Sequence, residues 1–262
     1  MRTRLLLATL PVFALAGCGL TVPTTNVVNV QQSPTTAKSD RAMQIDIENR
    51  NGSVSLSVEP RLTKPIVEAV VWDESGKFMK QVDDKIVKTW YTADIIMQEG
   101  RPIMRVLTSR TDDGKVPAFV KLVIRVPSCD GIRVRNTGGD ITLKGVSGPM
   151  TVENGFRGGV GGDITISTQA RVADDIKVTT TKGDISVHFT PNSQGRIEIT
   201  SLKGKVEFAA RTDGVSKQKR TANASTAILN GGKNLISLST QEGTARLDIG
   251  EFARATEIGD GM

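Results

Sequence analysis

Five segments of this chain place an apolar–polar–apolar triplet seven residues ahead of a glycine, which opens a second alternating run. Ile45-Asp46-Ile47 leads to Gly52-Ser53-Val54-Ser55-Leu56, and Ile132-Arg133-Val134 leads to Gly139-Asp140-Ile141-Thr142-Leu143. Ile176, Ile197 and Ile236 begin the same pattern ahead of Gly183, Gly204 and Gly243. A sixth copy, from Val152 to Gly162-Asp163-Ile164-Thr165-Ile166, carries three extra residues in a turn holding Gly155, Gly158, Gly159 and Gly161. Gly139, Gly162, Gly183 and Gly204 lie 23, 21 and 21 residues apart. A fixed period near 20 residues marks repeat architecture.

Each arm alternates apolar with polar residues, so each buries one face of a strand. Between the arms, polar pairs such as Asn136-Thr137 and Thr180-Thr181 lead into a glycine suited to a tight corner. A lone repeat cannot bury its apolar face, but copies stacked about 4.8 Å apart make a continuous core. Aromatics at 4% and 26 glycines favour such a narrow core over a bulky one. The fold expected is all-β, a single-stranded β-helix or stacked β-roll, with Ile141, Ile164, Ile185 and Val206 in one buried column. A β-sandwich is the alternative, since alternating strands with frequent turns suit it too. Residues 57–130 are less regular. Strands are expected at Ile66–Trp72, Ala93–Gln98, Ile103–Thr108 and Ala118–Val126. Phe78, Met79, Val82, Ile86 and Trp90 recur at helical spacing, which predicts a helix over Lys77–Trp90 capping one end of the stack.

The N-terminus carries a different message. Met1-Arg2-Thr3-Arg4, an apolar run from Leu5 to Leu15, and Ala16-Gly17 before Cys18 describe a signal peptide of residues 1–17. A cysteine just after the cut resembles the bacterial lipobox, which implies that Cys18 is lipidated and holds the protein to a membrane. Gly19 is not the aspartate that retains such proteins at the inner membrane, so a cell-envelope location at the outer membrane is expected. Residues 18–40, rich in Thr, Gln, Ser and Pro, read as a flexible tether, with a first strand at Val27–Val30 as the alternative. The folded domain is expected over 41–262, with an N-terminal part to residue 130 and regular rungs over 131–249. Without the leader, Lys and Arg number 32 against 28 acids, and the formal charge of +4 argues against a nucleic-acid partner. Cys129 then has no disulfide partner within the chain.

Val120-Lys121-Leu122-Val123-Ile124-Arg125-Val126-Pro127, followed by Ile132-Arg133-Val134, Gly139-Asp140-Ile141 and Gly145-Val146-Ser147-Gly148, resembles the bacterial "putative adhesin" domain family. That family is of unknown function and allied to the auto-transporter adhesin head domain. The resemblance covers roughly Ala42 to Ile249 and departs at 210–232, where an insertion replaces a rung. It implies a surface module and supplies no catalytic residues.

Asp140, Asp163 and Asp184 share one repeat position, but Ser53, Lys205 and Thr244 break the column, and Asp beside Gly is ordinary turn chemistry. Thr142, Thr165, Ser186 and Ser55 are expected to line one outward face. Lys217-Gln218-Lys219-Arg220 is a basic cluster in the insertion, suited to anionic lipid or to a solvated loop. His188 is the only histidine and has no zinc partners. Cys129 reads as a small structural residue, while Trp72, Trp90 and Tyr91 suit sugar stacking and core packing equally well. The reading is therefore a lipid-anchored, non-catalytic binding, adhesion or structural module with no metal and no cofactor. Its partners would be the membrane and an envelope glycan or protein. The alternatives are a glycan-acting β-helix enzyme and an envelope-stress component that binds another protein.

Overall fold

In the computed structural model the described residues are 26–29, 31–32, 42–72, 91–108 and 119–252. Their regular structure is almost wholly β. Strands are numbered along the chain. The six repeats form β3 (Gln44–Asn49) with β4 (Val54–Val58), β9 (Ile132–Asn136) with β10 (Ile141–Lys144), and β11 (Met150–Asn154) with β12 (Ile164–Ser167). They continue as β13 (Ile176–Lys182) with β14 (Ile185–Phe189), β15 (Gly195–Lys203) with β16 (Val206–Ala210), and β19 (Leu235–Glu242) with β20 (Ala245–Ile249). The less regular part contributes β5 (Ile66–Trp72), β6 (Tyr91–Gln98), β7 (Arg101–Thr108) and β8 (Phe119–Val126). The insertion forms the hairpin β17 (Val215–Arg220) and β18 (Ala224–Leu229), while β1 (Asn26–Asn29) and β2 (Gln31–Gln32) lie near the N-terminus.

These strands make two mixed sheets. One runs β1-β5-β8-β4-β10-β12-β14-β20-β16, the other β17-β18-β15-β19-β13-β11-β9-β3-β7-β6-β2. Each repeat gives its first arm to the second sheet and its second arm to the first. The repeats pair in parallel and in register, so Ile45, Ile132, Met150, Ile176, Ile236 and Ile197 form one inward row. A single core holds the inward residues of both sheets. Antiparallel pairs are confined to the two ends, at β1–β5, β5–β8, β6–β7, β15–β18 and β17–β18.

The spatial order of the repeats is not their chain order. The β3/β4 pair lies between β7/β8 and β9/β10, and the last pair, β19/β20, lies between β13/β14 and β15/β16. Ile141, Ile164 and Ile185 are therefore consecutive in the buried column, but Ala245 stands between Ile185 and Val206. All four residues expected in the column are buried there, with Ala245 interposed before Val206.

The corners explain the glycines. Gly139 has φ +90° and a methyl placed on it would come within 2.6 Å of the Gly52 carbonyl carbon of the neighbouring repeat. At Gly162, which needs no positive φ, the same close approach to the Gly139 carbonyl excludes a side chain. Beside this column runs a buried polar row: Asn49, Asn136, Asn154, Thr180, Thr240 and Ser201. Asn136 donates its amide to the carbonyls of Gly52, Gly138 and Gly139 at 2.9–3.1 Å. Thr180 and Thr240 donate to the carbonyls of Gly162 and Gly183 at 3.0 Å. Of these corner carbonyls, that of Gly138 also accepts the Gly52 N–H at 3.1 Å, and this row supplies donors to the others.

At one end the insertion 210–232 covers the second sheet as β17–β18, and the Arg220 guanidinium donates to the Val206 carbonyl of the edge strand β16 at 3.1 Å. At the other end, Asn26–Asn29 pairs with β5 and Gln31–Gln32 pairs with β6. Both lie in the stretch expected as a tether, and Asn26–Asn29 overlaps the alternative strand at Val27–Val30. The expected helix over Lys77–Trp90 lies outside the described residues, as do Cys18 and residues 1–17.

Candidate functional site

The insertion of β3 between β7 and β9 sets a charged row on the outer face of the second sheet. Asp46 lies directly across from Arg105 on one side and Arg133 on the other. Arg133 grips the Asp46 carboxylate with Nε at 2.9 Å and with Nη2, and Arg105 Nε lies 3.8 Å away. The Asp46 side chain is only 9% exposed, whereas Arg105 and Arg133 keep about half their surface in solvent. The hydrogen bond from Arg133 to Asp46 raises the guanidinium pKa above its ordinary value, so it is a permanent cation.

Two residues along β3, Glu48 lies across from Arg135 and bonds it at 2.9 Å. Met150 is in register with Ile132, so this repeat takes twelve residues to reach its glycine instead of seven, and the five extra residues acquire a purpose. They form a 3-10 turn at Phe156–Gly158 that folds Phe156 and Arg157 over this pair. Arg157 reaches Glu48 at 3.3 Å, and the Phe156 ring lies 5.1 Å from the Arg135 guanidinium and 5.0 Å from that of Arg157. Such spacing gives attractive cation–π contact from both guanidiniums. Beside Asp46 the surface sinks into a cleft of about 320 Å³ lined by Gln44, Gln98, Arg105, Arg133, Pro149 and Thr151, among others. Guanidinium, amide and hydroxyl groups around one cleft suit a polar, anionic guest.

The sequence-predicted residues fall elsewhere. Asp140, Asp163 and Asp184 do form a column, and each carboxylate accepts the backbone N–H one repeat on, from Asp163, Asp184 and Thr244 at 3.1, 2.8 and 2.7 Å. They staple successive corners. Among the described residues no three His, Cys, Asp or Glu side chains converge as a metal site. Ser55, Thr142, Thr165 and Ser186 stand side by side and outward, as expected. Lys217, Lys219 and Arg220 lie exposed on β17 at the stack's edge.

His188 stacks on Phe252 with centroids 4.1 Å apart and meets the Gly250 carbonyl at 3.2 Å, which fastens the end of β20. It borders a second cleft of about 200 Å³ with Arg211, Arg246 and Asp248. Tyr91 is buried, Trp72 ends β5, and Trp90 lies outside the described residues.

Cys129 is buried and free, and its thiol meets the Gly131 carbonyl at 3.5 Å. Burial pushes its pKa from 9.0 to about 11. A raised pKa favours folding fully below pH 9, and that contribution is lost as pH rises towards 11. Stability is expected to fall by roughly 2–3 kcal/mol across this window. The folded protein should also resist thiol reagents at pH 8. Cys129→Ala should flatten the alkaline limb of a urea titration, and an unchanged limb would count against a buried thiol.

Residues 121–248 match the family model described as Toastrack DUF4097. No curated protein matches the sequence. A "putative cell adhesion protein" from Clostridium sporogenes superimposes with a TM-score of 0.52 at 11% identity, covering 88% of this chain and all of that one. A "putative adhesin" from Bacteroides fragilis gives 0.34 at 15% identity, covering 87% and 97%. At these identities the first likeness shows the fold alone. Among the described residues no helix is long and apolar enough to cross a membrane.

Proposed function

We propose that this protein is a non-catalytic envelope binding module, lipidated at Cys18, whose repeats wind as a single-stranded β-helix with two rungs out of chain order. Its binding face is the outer side of the second sheet, and its guest is an acidic envelope glycan. The observation that carries this is the Arg105–Asp46–Arg133 cleft with its Phe156 neighbour. Within the cleft two arginines, Arg105 and Arg133, face one carboxylate, Asp46, while Asp94 lies across from Arg105 and Glu153 across from Arg135. Excess guanidinium charge attracts a carboxylate, and the amides of Gln44 and Gln98 match sugar hydroxyls. The bound carboxylates hold the arginines open before any ligand arrives, which lowers the ordering cost of binding. Adhesin-like names among proteins of similar fold agree with a surface role.

Turnover would need an acid and a base with separated pKa values on either side of a bond. Asp46 and Glu48 are instead committed to guanidiniums. The test is co-sedimentation of the mature chain, made soluble by Cys18→Ser, with peptidoglycan and with acidic polysaccharide. Binding at low salt is expected, with no release of soluble sugar. Arg105→Ala and Arg133→Ala should each weaken it about tenfold, equivalent to about 1.4 kcal/mol. Ser186→Ala, on the opposite sheet, should not. Binding that ignores both arginines would contradict the site, and steady product release would contradict the absence of catalysis.

A further inference from the structure

We infer that the β1–β2 end of the stack is the membrane-facing end, held against the lipid headgroups by a leash far shorter than the N-terminal sequence suggests. This rests on the proposed lipidation of Cys18. The observation behind it is where the first described strands sit. Asn26–Asn29 adds to the edge of one sheet by pairing with β5, and Gln31–Gln32 adds to the edge of the other by pairing with β6. Within seven residues the chain is stitched to both sheets at the same end, and it forms the outermost strand of each. Six of the residues expected as a tether, 26–29 and 31–32, therefore belong to the sheets.

The consequence is metric. From Cys18 to Asn26 there are eight residue steps, which span at most about 29 Å whatever their conformation. A free chain from Cys18 to Asp40 would reach nearly three times as far. From β6 to β17 the second sheet contains nine strand spacings, or about 43 Å. The leash is shorter than the stack, so the two ends are not equivalent towards the bilayer. The cleft at β7, β3 and β9 lies in the membrane-proximal half. Its guest must then be reachable within a few tens of ångströms of the lipid surface, while the basic hairpin β17–β18 points away from it.

Energy transfer on lipidated full-length protein in vesicles tests this. Donor dye is placed at Thr92→Cys on β6 or at Lys219→Cys on β17, both exposed positions, with acceptor on lipid headgroups. Buried Cys129 stays unlabelled. Transfer from position 92 is expected to exceed that from 219 at least twofold. Inserting twenty Gly-Ser residues after Gly19 should remove most of the difference, since such a linker adds about 25 Å of root-mean-square reach. Vesicle flotation is measured on the same samples. Protein that floats but shows equal or reversed transfer overturns the orientation while leaving the anchor intact. Protein that does not float, or a Cys18→Ser variant that floats equally well, overturns the anchor and the orientation with it.

Discussion

Replacing Gly183 with alanine is expected to lower the unfolding free energy by about 2–5 kcal/mol. Gly183 sits at φ +125°, and an added Cβ would lie 2.5 Å from the Gly162 carbonyl atoms of the adjacent repeat. The unfavourable dihedral alone costs about 1–3 kcal/mol. The clash is with backbone, and relieving it means separating repeats whose ladders are in register, a further 1–3 kcal/mol or so. Gly100→Ala makes the control: φ is +73°, but nothing lies within 4 Å of the new methyl, so only the dihedral cost applies. Urea unfolding of both variants gives the comparison. Equal losses at the two glycines would show that corners do not stack as closely as described.

Ile185→Ala is expected to cost about 2–5 kcal/mol, towards the upper part of that range. Ile185 is fully buried, and one of its two neighbours in the column is already small, Ala245. The surrounding column has little bulk with which to refill the space, so the cavity persists. Ser186, one residue on, is exposed on the outer face, and Ser186→Ala should stay within about 0.5 kcal/mol. A similar loss at both positions would deny the inward–outward alternation of β14.

Much of this was legible in the sequence because strand alternation and corner glycines are local. Ile176-Lys177-Val178 and Gly183-Asp184-Ile185 became β13 and β14 with the burial that their spacing implies. The order of the repeats was not legible, for a physical reason. Ile176, Ile197 and Ile236 present nearly the same apolar face, so each fits against any other, and only the whole connection decides which pair meet. The polar corner row was half visible. Asn136 and Thr180 were read as turn residues, yet they are buried donors to carbonyls of a neighbouring repeat.

The candidate site was missed altogether. Asp46, Arg105 and Arg133 look like ordinary outward residues of three separate strands, because their meeting depends on β3 entering between β7 and β9. One clue was present: the surplus residues before Gly162 break an otherwise constant spacing, and they carry Phe156 and Arg157 to the site. The anchor at Cys18 rests on sequence alone.

The out-of-order stacking underlies both the site and the two capped ends, and cysteine cross-linking tests it most directly. Lys177 lies across from Ser237 on the next strand, and Glu198 lies one strand further. Adjacent strands are about 4.8 Å apart, within reach of a disulfide, whereas two spacings are beyond it. Under mild oxidation Lys177→Cys with Ser237→Cys should cross-link readily, and Lys177→Cys with Glu198→Cys should not. The opposite result, with 177 joined to 198 and not to 237, would place the repeats in chain order and contradict the account.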